Sequence, residues 1–190
     1  MLVVISGPSG SGKTSIAREI LKRFPKIKES ISATTRPMRK GEVDGKDYYF
    51  LDRKDFEERI TSNGFLEYAE YAGELYGTPR EPVDNALANG QTILLEIEVK
   101  GARIVRAAFP NALTLFVQPP SLSEARRRLV ARHRGESEAE IDRRMEIARQ
   151  EMACADEFGH RVENADLETA IDQAAKIITD AWKCQVPAKK

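Results

Sequence analysis

The sequence predicts an α/β protein: a parallel sheet flanked by helices, with a small mixed segment inserted into it. Three observations carry this expectation. Leu2 to Ser6 is a short run rich in β-branched residues. It enters a glycine-rich turn and then a stretch from Thr14 to Phe24 in which Ile16, Ile20 and Leu21 repeat at helical spacing. The alternation returns downstream, where Thr92 to Ile97 reads as a buried strand, Ala102 to Ala108 as a helix and Ala112 to Val117 as a strand. Continuously apolar strands alternating with helices belong to parallel sheets covered on both faces. Third, Ser32 to Pro82 has a different texture: Asp44-Gly45, Asn63-Gly64 and Gly73 are turn signals among Tyr48, Phe50, Phe65 and Tyr71.

The rest of the chain reads as helix. Ser121-x-x-Glu124 is a capping box that opens one helix, and Ile141, Met145, Ala148 and Met152 make an apolar stripe on the next. A last helix is expected from about Leu167 to Trp182, followed by a frayed tail after Pro187. There is no internal repeat, low-complexity tract or interdomain linker, so residues 1–190 are expected to form one domain.

Composition excludes several classes of function. Thirty basic and thirty acidic residues give a formal net charge of zero, so no whole-molecule field holds a nucleic acid and any phosphate binding is local. Apolar runs such as Leu2 to Ile5 fall far short of the ~20 residues that span a bilayer. Met1 leads into Leu-Val-Val-Ile without a basic n-region or a cleavage site, so the expected location is cytoplasmic. Cys154 and Cys184 are too few and too unpatterned for a disulfide framework or a metal cluster.

Gly7-Pro8-Ser9-Gly10-Ser11-Gly12-Lys13-Thr14 satisfies the P-loop pattern at the expected strand-to-helix junction. Glycines let consecutive amides point inward at phosphate oxygens, and the helix that follows adds the positive end of its dipole. Lys13 is placed to bridge β- and γ-phosphates. Thr14 is placed to put its hydroxyl on Mg²⁺, a hard cation that takes a few protein oxygens and keeps several waters. No Asn-Lys-x-Asp segment of the kind that reads guanine in many GTPases is present, and the chain is short for motor machinery. A small-molecule kinase is the expectation.

A kinase needs a second site for the acceptor, and the inserted segment has suitable chemistry. Arg36 and Arg39 flank Pro37, so two guanidinium forks either converge on one anion or remain solvated surface charges. Tyr48 and Tyr76 either add hydroxyl donors to that anion or pack within a sheet. Ser32, Glu67 and Thr78 supply donors and acceptors for a base edge; a carboxylate such as Glu67 matches the adjacent N1–H and 2-amino donors of guanine, a pair that adenine lacks. Glu96 and Glu98 fall on one face of their strand by its period of two, at the carboxyl end where ligands of α/β proteins gather. The plainer alternative pairs them with Lys100 or Arg103. Arg126, Arg127, Arg128, Arg132, Arg134, Arg143 and Arg144 crowd an apolar-poor stretch, where most are expected to pair with Glu136, Glu138 and Glu140. His133 and His160 read as surface residues.

These segments, in this order, resemble the guanylate kinases over essentially the whole chain. The resemblance rests on Gly7 to Lys13, Ser32-Ala-Thr-Thr-Arg-Pro-Met-Arg-Lys-Gly-Glu42, Gly45-Lys-Asp-Tyr48, Phe65-Leu-Glu-Tyr-Ala69, Tyr76-Gly-Thr78 and Leu95-Glu-Ile-Glu-Val-Lys-Gly101. It implies a P-loop NTPase-type core (1–31, 83–125 and 146–190), a GMP-binding insert (32–82) and a helical lid (about 126–145). It implies transfer of the γ-phosphoryl group of ATP to GMP, and also to dGMP, with Mg²⁺ as cofactor and no obligate protein partner. Arg36, Arg39, Tyr48 and Tyr76 would hold the GMP phosphate; Ser32, Glu67 and Thr78 would read guanine; Glu42 belongs to the same loop. Glu96 and Glu98 would lie near Mg²⁺ and the acceptor, although Glu98 stands where the family carries Asp and is longer by about 1.5 Å, one C–C bond. Arg128, Arg144 and either Arg132 or Arg134 would be the lid arginines, and Asn164 would contact the ATP base. Two rivals are a catalytically silent guanylate-kinase-like binding module and a P-loop kinase for another phosphorylated acceptor. The intact P-loop argues against the first, and Ser32, Glu67 and Thr78 together argue against the second.

Overall fold

The computed structural model describes residues 1–131 and 137–185. Two sheets organise it. The larger is parallel throughout, with β1 (Leu2–Ser6) at its centre, β7 (Thr92–Glu96) and β2 (Ile27–Glu29) on one side, and β8 (Leu113–Gln118) and β9 (His160–Glu163) on the other. Its central strands are apolar on both faces because both faces are covered. Val3, Ile5, Leu94, Leu115 and Val117 face a cluster that includes Ile16 and Ile20 of α1 (Lys13–Arg23) and Ala170, Ile171, Ala174 and Ile178 of α7 (Leu167–Gln185). Leu2, Val4, Leu95 and Phe116 face the other cluster, under α3 (Arg80–Ala88) and α4 (Val99–Ala108). Burying a side chain such as Ile5 or Leu95 contributes roughly 1.5–3 kcal/mol, so the strands that carry the site are its most firmly held parts.

The second sheet has the order β4 (Tyr49–Phe50), β3 (Ala33–Thr34), β6 (Glu74–Pro79), β5 (Phe65–Tyr71) and is mixed. Phe56 of α2 (Arg53–Thr61) stacks on Phe65 at 4.4 Å and closes a small core with Ala33 and Leu75. Strand β5 also lies against α4 of the larger unit. Its hairpin with β6 turns through Ala72 and Gly73, whose φ values of 54° and 94° are the left-handed pair that a two-residue hairpin needs.

Several boundaries differ from the sequence expectation. The helix expected from Ala102 starts at Val99, and Glu98 is its N-terminal cap residue. Strand β7 ends at Glu96, so Glu96 and Glu98 do not share a strand face. The Ser121 box is half formed: Ser121 Oγ accepts the Glu124 amide at 3.1 Å, but the Glu124 carboxylate is drawn to Arg127 and Arg128. The complete box is Ser137 with Glu140, opening α6 (Glu138–Met152). α5 spans Leu122–Ala131 and packs on α6. Glu163 is exposed on the edge strand β9. No described helix is long and apolar enough to cross a membrane, and the expected tail at Lys189 and Lys190 lies outside the described residues.

Candidate active site

The site begins where β1 ends. Residues Gly7 to Gly12 curl between β1 and α1, Lys13 and Thr14 open the helix, and Gly12 takes up φ 90° at the N-cap, a conformation that strongly favours glycine. A methyl group there would lie 2.2 Å from Asn164 Nδ2. That closeness is used: Asn164, buried at the end of β9, donates Nδ2 to the Ser11 carbonyl at 2.7 Å and props the loop from below. Arg128 of α5 in turn donates to the Asn164 carbonyl at 2.9 Å and to Glu124 at 2.8 Å. Lys13 folds back over the loop, with Nζ 3.1 Å from the Gly7 carbonyl and 3.6 Å from Glu98 Oε2. Thr14 donates its hydroxyl to Glu96 Oε1 at 2.5 Å. Burial pushes the Glu96 carboxyl upward, against the opposing pull of Lys13 and Thr14.

Facing the loop is a cationic corner of the second sheet. Arg36 is 8% exposed, and its Nη2 spans both Glu42 oxygens at 2.9 and 3.0 Å. The Arg36 guanidinium also lies 5.5 Å from the Tyr48 ring centre and 5.6 Å from that of Phe50. Glu42 takes the Arg39 amide as well, at 2.8 Å. Tyr76 meets Tyr48 edge-on at 6.1 Å. Burial, reinforced by Glu96, Tyr76 and Glu98, raises the Tyr48 phenol well above its ordinary range and keeps it a neutral donor. Lys13, Arg36, Arg39, Tyr48, Tyr76 and Arg144 of α6 line one polar cavity of about 80 Å³, together with Thr14 and Glu98.

Deeper along the same sheet lies a polar row. Thr78 is opposite Glu67, and Ala33 is opposite Gly77, so Ser32, one residue before Ala33, continues the row beyond Thr78. The Thr78 hydroxyl donates to Glu67 Oε1 at 2.6 Å, with both residues buried. Burial outweighs the two bonds from Thr78 and pushes the Glu67 carboxyl up to about 7.

Residues 1–181 match the family model described as guanylate kinase. The chain belongs to the guanylate kinase family. It is 48% identical over 180 residues to the guanylate kinase of Carboxydothermus hydrogenoformans, covering 94% of this chain and 87% of that one. It is 50% identical over 178 residues to that of Thermus thermophilus, covering 94% and 80%. The crystal structure of guanylate kinase from Anaplasma phagocytophilum superposes with a TM-score of 0.78 at 29% identity, covering 99% of this chain and 87% of that one.

As a guanylate kinase family member, this chain has a donor set that suits Mg²⁺: the Thr14 hydroxyl beside the Glu96 carboxylate is a pair of hard oxygens next to the phosphate loop. Arg126 of α5 is held by Glu138 and Asp142 of α6, and Arg127 by Glu124 of its own helix. Arg132 and Arg134, like His133, lie outside the described residues. His160 is exposed.

Three residues escaped the sequence reading. Glu151 of α6 is buried, accepts the Val99 amide at the start of α4, and keeps one carboxylate oxygen without a hydrogen-bond partner. Burial and the neighbouring Glu98 push its carboxyl well up; its only signal was an acid within an otherwise apolar helical stripe. Gly101 lies against Glu67, and Tyr71 against Ser9.

Proposed function

We propose that this guanylate kinase family protein catalyses the transfer of the γ-phosphoryl group of ATP to GMP, and to dGMP, giving ADP and GDP. One observation carries the reading: the phosphate-loop lysine and the Arg36–Arg39 corner line the same cavity, with the Glu67–Thr78 pair behind it. Two anion sites that share a wall bring a donor and an acceptor phosphate together, and much of phosphoryl transfer is positioning and electrostatic stabilisation.

In this reading Gly7 to Gly12 present backbone amides to the donor phosphates and Lys13 bridges the β- and γ-oxygens. Arg36, Arg39, Tyr48 and Tyr76 hold the phosphate of GMP, whose oxygen is the nucleophile, with Glu42 fixing both arginines. Ser32, Glu67 and Thr78 read the guanine edge. Thr14 would hold Mg²⁺ beside Glu96, and the ion when bound neutralises charge on the donor phosphate. Glu98, on the cap of α4, takes its place between Lys13 and the acceptor. The stretch of about 126–145 acts as the lid; Arg144 faces the transferring group, Arg128 braces the loop through Asn164, and Arg132 or Arg134 supplies a further lid cation. Asn164 borders the ATP base. ATP and GMP as substrates fit a cytoplasmic protein acting without an obligate partner.

The test is ADP formation from ATP and Mg²⁺ with GMP, dGMP, AMP, CMP, UMP and a sugar phosphate offered separately. Turnover confined to GMP and dGMP is expected. ATP binding without turnover of any acceptor would overturn the reading in favour of a binding module, and selective turnover of the sugar phosphate in favour of a different kinase.

A further inference from the structure

Tyr71 is the last residue of β5, and the sequence motifs leave it without a role. By the strand period it shares a face with Glu67 and Ala69, and across the ladder with Tyr76 and Thr78, so it belongs to the face that carries the acceptor residues. Its ring lies edge-on to Tyr76 at 6.4 Å, and it is 6% exposed. The Ala72–Gly73 turn pins the strand end directly behind it. Its hydroxyl does not stay within the sheet. It meets Ser9 Oγ, in the middle of the phosphate loop, at 2.7 Å in a buried contact. Ser9 itself is 7% exposed and lines the shared cavity beside Tyr71.

This contact is a direct side-chain bond between the sheet that holds the acceptor corner and the loop that holds the donor phosphates. A bond of this kind sets the distance between two bound phosphates without contributing to the affinity of either one alone. Burial, with Glu98 and Glu151 nearby, holds the Tyr71 phenol far above its ordinary range, so it stays a neutral hydroxyl at any working pH. Building on the kinase reading above, we propose that Tyr71 is a positioning residue for phosphoryl transfer, acting through Ser9 to hold the acceptor sheet in register with the phosphate loop. Near-attack alignment is sensitive to shifts of about an ångström, so loosening the bond lowers turnover more than it lowers binding.

The test is a double-mutant cycle with Tyr71→Phe, which keeps the ring and removes the hydroxyl, and Ser9→Ala, which breaks the same bond from the loop side. A neutral hydrogen bond sets the scale, so kcat is expected to fall roughly 3- to 10-fold in Tyr71→Phe, with KM for ATP and for GMP each held within about twofold. In the Ser9→Ala background the second substitution is expected to cost nothing more. Full kcat in either single variant, a loss confined to KM, or equal losses from Tyr71→Phe in both backgrounds would overturn the proposal. Should Tyr71→Phe fold poorly, Ser9→Ala leaves the strand untouched and must show the kcat loss alone. Wild-type protein inactive on GMP would overturn the kinase reading and this proposal with it, whereas an active wild type with an equally fast Tyr71→Phe overturns this proposal alone.

Discussion

Gly101 makes room for the Glu67 carboxylate. A methyl group built on the Gly101 Cα would lie 2.2 Å from Glu67 Oε2 and 2.8 Å from its carboxyl carbon, so the first turn of α4 forms the floor under that side chain. Gly101 is helical and costs the helix about 1 kcal/mol relative to Ala, a cost that persists here beside the carboxylate proposed to read guanine.

Gly101→Ala therefore separates folding from function. The alanine favours the helix by propensity but forces the Glu67 carboxylate off Thr78. The expected outcome is a thermal midpoint near or slightly above that of the wild type and a KM for GMP raised about tenfold, the scale of one charge-assisted hydrogen bond. Steady-state kinetics beside a melting curve check it. An unchanged KM would show that Glu67 relaxes without leaving its partner.

Glu67 also sets a pH dependence. Its folded-state value is raised from the ordinary 4.5 to about 7, so between those values the folded protein holds a proton that the unfolded chain has lost. Stability then falls as pH rises through that window, by at most about 3 kcal/mol. With Glu67 reading guanine as proposed, binding of the base runs the other way, because its two donors require the ionised carboxylate. Near pH 6 only about a tenth of free sites carry it, and KM for GMP is expected to rise roughly tenfold from its value at pH 8. Glu67→Gln should raise that KM at every pH and flatten its profile.

The parts legible in the sequence are the local ones. Leu2 to Thr14 declares strand, loop and helix through neighbours alone, and Thr92 to Glu96 does so through an apolar run. Glu98 was misplaced because a period of two says nothing about where a strand stops; the stop is set by α4 starting at Val99. Gly101 against Glu67 and Tyr71 against Ser9 are contacts between distant segments, created when β5 docks on α4 and beside the phosphate loop. Glu151 leaves only a faint trace in the sequence for the same reason, since its contact from α6 to the start of α4 is a product of tertiary packing. Arg36 with Glu42 is half legible: the family resemblance places both in one loop, but only the fold turns the carboxylate back onto the guanidinium.

Lys13 and Thr14 can be tested without disturbing that packing. Lys13 Nζ bonds a backbone carbonyl and faces a carboxylate across the cavity, so Lys13→Ala should fold normally and lose about 10²- to 10³-fold or more in kcat, as expected for a group that meets developing charge. Chelation of Mg²⁺ should abolish turnover reversibly. Thr14→Ala should raise the Mg²⁺ concentration needed for half-maximal rate, measured at fixed ATP and GMP. Equal Mg²⁺ dependence in Thr14→Ala and wild type would remove the threonine from the metal site.

Asn164 poses a sharper choice. Its place beside the phosphate loop is compatible with contact to the donor base, but its side-chain Nδ2 donates to the Ser11 carbonyl at 2.7 Å, and its backbone oxygen accepts from Arg128. Asn164→Ala keeps the Arg128 bond, strands a buried carbonyl, and should cost about 1–3 kcal/mol of stability. If the side chain supports the loop, the rise in donor KM falls equally on ATP and GTP, because both present the same phosphates to the loosened amides. If it reads the base, ATP suffers more than GTP and the ratio of their kcat/KM values shifts. The bond to Ser11 predicts the first result, and a shift in that ratio beyond about threefold would assign the amide to the adenine instead.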